Sequence, residues 1–149
     1  MATPHNVDNV KCVSEVEGTK IDSVLIGTCT GGRLEDMEAA ARILRGRKIH
    51  KDTYAIIMPA SWNIYREMLR KGLIEEFLDA GCRVTYPTCG PCAGHIGGLM
   101  ADSEVRVSAQ NRNFKGRSGS SNSEIYLASP LTCAASALEG EIADPRKFV

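Results

Sequence analysis

Ser23-Val-Leu-Ile-Gly-Thr-Cys-Thr-Gly-Gly-Arg33, continuing into Leu34-Glu-Asp-Met-Glu-Ala-Ala-Ala-Arg-Ile-Leu44, sets the pattern of the whole chain. Ser23 to Gly27 is a short apolar run, the signature of a buried strand. Gly31 and Gly32 then make a turn. From Leu34 onward, Leu34, Met37, Ala40, Ala41 and Leu44 recur at helical spacing, charge fills the other face, and Gly46 is a stop. Strand, glycine turn and amphipathic helix form the repeating unit of an α/β fold.

The unit recurs. Tyr54 to Met58 reads as a second buried strand closed by Pro59. Ser61 is a candidate N-cap for a helix over Trp62 to Arg70, whose stripe is Ile64, Tyr65, Met68 and Leu69. A short helix over Leu73 to Ala80 follows, ended by Gly81. Arg83 to Tyr86 is a third strand and runs into Pro87-Thr-Cys-Gly-Pro-Cys-Ala-Gly94. Glu104 to Ser108 is a fourth, leading into the basic loop Gln110-Asn-Arg-Asn-Phe-Lys-Gly-Arg117. Glu124 to Ala128 is a fifth, after which Ser129 and Pro130 start a helix over Leu131 to Leu138. The alternation predicts an α/β, three-layer domain: a mostly parallel five-stranded sheet with helices on both faces. Residues 1–20 are polar and irregular and read as a lead-in arm, and residues 21–149 as one domain.

The totals agree with one ordinary domain: 149 residues, 43% hydrophobic and 24% charged. Eighteen basic residues balance eighteen acidic ones, which argues against broad binding of nucleic acid or anionic membrane. No apolar run is long enough to span a bilayer, and the first residues lack the layout of a signal peptide, so a cytoplasmic protein is expected. In that compartment six cysteines point to metal or redox chemistry rather than to structural disulfides.

In a parallel sheet, ligands bind beyond the carboxyl ends of the strands. Cys29 follows the first strand, Cys89 and Cys92 the third, Arg112 and Arg117 the fourth, and Ser129 the fifth, so all fall on one rim. Three thiolates suit a 4Fe–4S cluster whose fourth iron is left open. They also suit a zinc site, with Cys82 as a further ligand, or a redox disulfide of Cys89 and Cys92. The two guanidinium forks match the carboxylates of a small di- or tricarboxylate, and Asn111 could add an amide contact. As ordinary solvated loop charges they would need no such partner. Cys12, Cys82 and Cys133 read as structural, and His95 as a loop histidine. Trp62 and its neighbours read as core, or as a surface that meets a neighbouring domain.

Three motifs in order, Gly27-Thr-Cys-Thr-Gly-Gly-Arg33, Pro87-Thr-Cys-Gly-Pro-Cys-Ala-Gly94 and Asn111-Arg-Asn-Phe-Lys-Gly-Arg117, resemble the signatures of the aconitase superfamily. The likeness is greatest to the cluster-bearing domain of isopropylmalate dehydratase or homoaconitase large subunits. It implies that Cys29, Cys89 and Cys92 hold a 4Fe–4S cluster and that Arg112 and Arg117, beside Asn111, hold substrate carboxylates. The reaction it implies is loss and re-addition of water on a hydroxy di- or tricarboxylic acid. One position departs from the family pattern: Gly31 stands where an asparagine is common.

In that family the catalytic serine and the acid/base residues lie on other domains or on a small subunit, so no catalytic residue is expected in this chain. The chain is expected to be one part of a hydro-lyase of amino-acid biosynthesis, a cut-down piece or a naturally split subunit, without turnover alone. Its expected partners are the hydroxy-carboxylate and the remaining domains or small subunit. The competing reading is a non-catalytic cluster- or metal-binding module that senses iron or redox state.

Overall fold

A computed structural model describes residues 1–148. The five strands are β1 (Ser23–Gly27), β2 (Tyr54–Met58), β3 (Arg83–Val84), β4 (Val105–Ser108) and β5 (Glu124–Leu127). The helices are α1 (Thr28–Gly31), α2 (Leu34–Leu44), α3 (Trp62–Arg70), α4 (Leu73–Asp79), α5 (Gly90–Ala93) and α6 (Pro130–Glu139). All neighbouring strands pair in parallel, in the order β3-β2-β1-β4-β5. The expected three-layer α/β architecture is therefore present, with a sheet that is wholly parallel.

The two faces are covered unequally. Val24, Ile26, Ala55, Ile57 and Val107 point to one face, where they share a core with residues of α2, α3, α4 and α6. Leu25, Ile56 and Met58 point to the other, and the helical residue packed on them is Cys92 of the single turn α5. Right-handed crossovers explain this. Winding from β1 to β2 and β3 lays its helices on one face; stepping from β4 to β5 lays residues 109–123 on the other, and there the sequence is too rich in Gly, Ser and Asn to form a helix.

The local signals act as expected at the helix starts. The Ser61 hydroxyl accepts from the Ile64 amide at 3.3 Å, and that of Ser129 from the Thr132 amide at 3.1 Å. The third strand is shorter than Arg83 to Tyr86. The Thr85 amide still donates to the Ile57 carbonyl at 2.9 Å, but Pro87 two residues on has no N–H to continue a ladder. Residues 1–20 run along the opposite edge and the sheet's end. Ala2 exchanges backbone bonds with Leu127 at 2.9 and 2.8 Å, and Ile142 donates to Thr19 at 2.8 Å. Among the described residues no helix is long and apolar enough to cross a membrane.

Candidate metal centre and substrate rim

The chain leaves β1 toward β2 and later returns to β4 on its other side. The crevice of a doubly wound sheet opens at such a reversal, here above the carboxyl ends of β1 and β4. Gly27 ends β1 with φ +125° and Thr28 follows at φ +69°. Those left-handed values turn the backbone sharply into α1, leaving Cys29 and Thr30 exposed while Thr28 and Gly31 are buried. A Cβ on Gly31 would stand 2.6 Å from the Cβ of Ala109 and 2.9 Å from its carbonyl oxygen. The departure at position 31 therefore has a physical reason: a residue with no side chain lets α1 seat directly on the end of β4.

Cys89 and Cys92 open and occupy α5. The Gly90 amide donates to the Thr88 hydroxyl at 3.2 Å and the Ala93 amide to the Cys89 carbonyl at 2.9 Å, closing one helical turn. Cys89 is exposed, whereas Cys92 turns inward against the sheet. Arg117 reaches this point from the loop after β4, where its Nη2 donates to the Cys92 sulfur at 3.4 Å. The Ser118 hydroxyl donates to the Cys92 carbonyl at 3.3 Å. Arg117 also lies over the Phe114 ring, 5.6 Å from its centroid, and its buried Nε has no partner.

The rim brings some of the expected residues together and not others. Arg117 and Cys92 touch. Asn111 and Arg112 are exposed, and the Arg112 guanidinium folds back on the Asn111 carbonyl at 2.9 Å. Among the described residues no three Cys, His, Asp or Glu side chains gather as a metal-binding group. Cys29, whose sulfur is 3.9 Å from the Thr30 hydroxyl, and Cys89 point into solvent, while Cys92 points in. All six cysteines are unpaired, so the redox disulfide of Cys89 and Cys92 is not formed.

The donor chemistry nevertheless fits a thiolate-held, anionic group. Three free thiols stand at the short turns α1 and α5 that follow β1 and β3, a guanidinium touches one of them, and the buried Nε of that guanidinium lacks a partner. Cys82 and Cys133 do not belong to this set. Burial pushes the Cys82 thiol up to about 12 and raises that of Cys133 as well, so both stay protonated at neutral pH. The stability Cys82 contributes by staying neutral is full below the ordinary thiol value of 9.0 and is lost as pH climbs toward about 12. Brief alkylation of the native chain should tag the exposed Cys12, Cys29 and Cys89, and peptide mapping should find Cys82, Cys92 and Cys133 tagged only after denaturation. Rapid native tagging of Cys133 would contradict this packing.

Two features of the site went unread in the sequence. Asn113 is only 1% exposed, and its side-chain amide donates to the carbonyls of Thr3 at 2.8 Å and Asn6 at 3.4 Å, tying the basic loop to the first residues. Arg106 lies fully buried in β4. The only signal for it was a charge standing between Val105 and Val107 in an otherwise apolar strand.

A family model for the aconitase family (aconitate hydratase) matches residues 3–140. The 3-isopropylmalate dehydratase large subunit 2 of Archaeoglobus fulgidus is 58% identical over 149 residues, which is 100% of this chain and 36% of that protein. The large subunit of the same enzyme from Pyrobaculum islandicum is 54% identical over 149 residues, again 100% and 36% of the two chains. That of Sulfurisphaera tokodaii is 51% identical over 148 residues, 99% of this chain and 35% of that protein. The chain thus spans about a third of the length of the curated relatives it matches.

Proposed function

The chain belongs to the aconitase family, and from that membership we propose that it is the cluster-bearing part of a hydro-lyase of the isopropylmalate dehydratase type. The observation that carries the reading is the contact between Arg117 and Cys92. It joins a carboxylate-matching cation to a ligand-type sulfur at the crevice of the sheet. Cys29, Cys89 and Cys92 would hold a 4Fe–4S cluster. When bound, such a cluster offers an open iron position that acts as a Lewis acid toward a substrate hydroxyl.

The chain's own residues then bind and orient. Arg112 and Arg117 take the carboxylates of a hydroxy di- or tricarboxylic acid, each by a bidentate fork, with Asn111 beside them. Arg112 has only the Asn111 carbonyl to release before it can turn to a substrate. Buried Asn113 and Gln110 brace that loop; the Gln110 side chain donates to the Arg112 carbonyl at 2.6 Å. By the family resemblance, the groups that move the proton lie on the rest of the enzyme. The remaining large-subunit domains and a small subunit are the partners this reading requires. A reducing cytoplasm suits its unpaired thiols.

The test is anaerobic reconstitution of the chain with ferrous iron and sulfide, followed by titration with 3-isopropylmalate. The expected result is a visible charge-transfer spectrum that the ligand perturbs, with no dehydratase rate from the chain alone. One zinc per chain and no response to the hydroxy acid would support the non-catalytic module instead. A measurable dehydratase rate would overturn the statement that the chain is catalytically incomplete.

A further inference from the structure

We infer that Arg106 is a built-in counter-charge for the anionic group held at the rim, an inference that rests on the cluster reading above. Arg106 is 0% exposed on the sheet face that α5 covers. Its Nε donates to the Ser23 hydroxyl at 2.9 Å, and its Nη2 to the Tyr54 hydroxyl at 3.1 Å and the Gly98 carbonyl at 2.6 Å. Its Nη1 is buried and has no partner. None of the three acceptors is anionic, and among the described residues no carboxylate pairs with it. A buried, unpaired cation is costly to keep, and the neighbouring inward positions are filled by Leu25, Ile56 and Met58.

The guanidinium lies beside Ser23 and Tyr54, the first residues of β1 and β2, and reaches toward the Cys92 turn through Gly98. A Cβ on Gly98 would stand 3.5 Å from Arg106 Nη2 and 3.7 Å from the Cβ of Pro91 in α5, so Gly98 lies between the guanidinium and the turn that carries Cys92. Burial pulls the Arg106 pKa below its usual value, and its neighbours Tyr54, Glu104 and Cys92 oppose that pull. Glu104 already accepts from the Ala101 amide at 2.9 Å. The rim supplies the missing anion: three thiolates outweigh the positive charge of an oxidised 4Fe–4S core. Charge at this depth is weakly screened. Arg106 therefore acts through the field at Cys92 as a positioning residue, making the anionic cluster easier to hold and to reduce.

The experiment reconstitutes wild type, Arg106→Lys and Arg106→Gln in the full chain and measures each cluster's midpoint potential. Apo stability is measured alongside by urea melts. Arg106→Gln should move the potential negative by at least a tenfold change in the reduction equilibrium, which is 59 mV for a one-electron couple, and lose iron to a chelator several-fold faster. Arg106→Lys, which keeps the charge, should stay near wild type in both. If Arg106→Gln does not fold, Arg106→Met replaces it. A neutral variant with the wild-type potential overturns the proposal and leaves Arg106 a purely structural anchor, whose loss shows in the urea melts alone. A wild-type chain that loads no cluster overturns the cluster reading itself, and this inference with it.

Discussion

Gly27→Ala is expected to leave the chain unfolded or nearly so. Gly27 closes β1 with φ +125°, a backbone state that costs a residue with a Cβ roughly 1–3 kcal/mol. Space is the larger problem. A Cβ there would stand 1.9 Å from the carbonyl oxygen of Met58 and 2.7 Å from its carbonyl carbon. Met58 is the residue paired with Gly27 across the central β1–β2 ladder, and it is fully buried. Neither strand can retreat without breaking the register that also fixes α1 and the turn at Gly32, whose carbonyl accepts from the Ala60 amide at 3.0 Å. Strain and overpacking together are on the order of 4 kcal/mol or more, against a total domain stability of about 5–15 kcal/mol. Urea denaturation followed by circular dichroism measures it. A variant within about 1 kcal/mol of wild type would mean that β1 does not end as described.

The second large effect concerns the sulfurs. Serine at Cys29, Cys89 or Cys92 should each bring cluster content after reconstitution down to background. Serine at exposed Cys12, or alanine at buried Cys82 or Cys133, should leave it near wild type. The separation follows from position: the first three stand at the turns α1 and α5 after β1 and β3, while burial keeps the Cys82 and Cys133 thiols protonated. The Cys92 variant carries the most information, because it also removes the sulfur on which Arg117 rests. Iron and sulfide quantitation reads the result, and thermal melts of the apo variants show whether each still folds. Loss of cluster from the Cys82 variant with retention in the Cys29 variant would replace this ligand set by another.

The first stretch shows how far local sequence reached. Apolar runs, helical spacing and glycine stops located every strand and every long helix to within a residue or two, because each of those signals acts within a few residues. The same signals failed at α1 and α5. A four-residue helical turn has no period to detect, and both turns owe their shape to packing on distant atoms. The early end of β3, before Pro87, was written in the sequence but needed the pairing with β2 to be interpreted.

The site divides in the same way. That Cys29, Cys89, Cys92, Arg112 and Arg117 follow strands was legible once the sheet was taken as parallel. Which of them touch was not. Arg117 meets Cys92 because the loop after β4 crosses the second face of the sheet and passes over α5. Asn113 reaches Thr3 and Asn6 because the first residues pair with β5. The separate directions of the three thiols belong to tertiary packing as well, since only Cys92 has an apolar surface to turn toward.

The sequence by itself therefore determined the α/β class, the order of its elements and the family, because these rest on periodicity and on short motifs read along one chain. The tertiary structure alone decided the strand order, the crowding of the long helices on one face, the seating of Gly31 on Ala109 and the burial of Arg106. Each of these depends on atoms brought together from strands far apart in the chain, and no local pattern encodes a contact whose other half lies elsewhere.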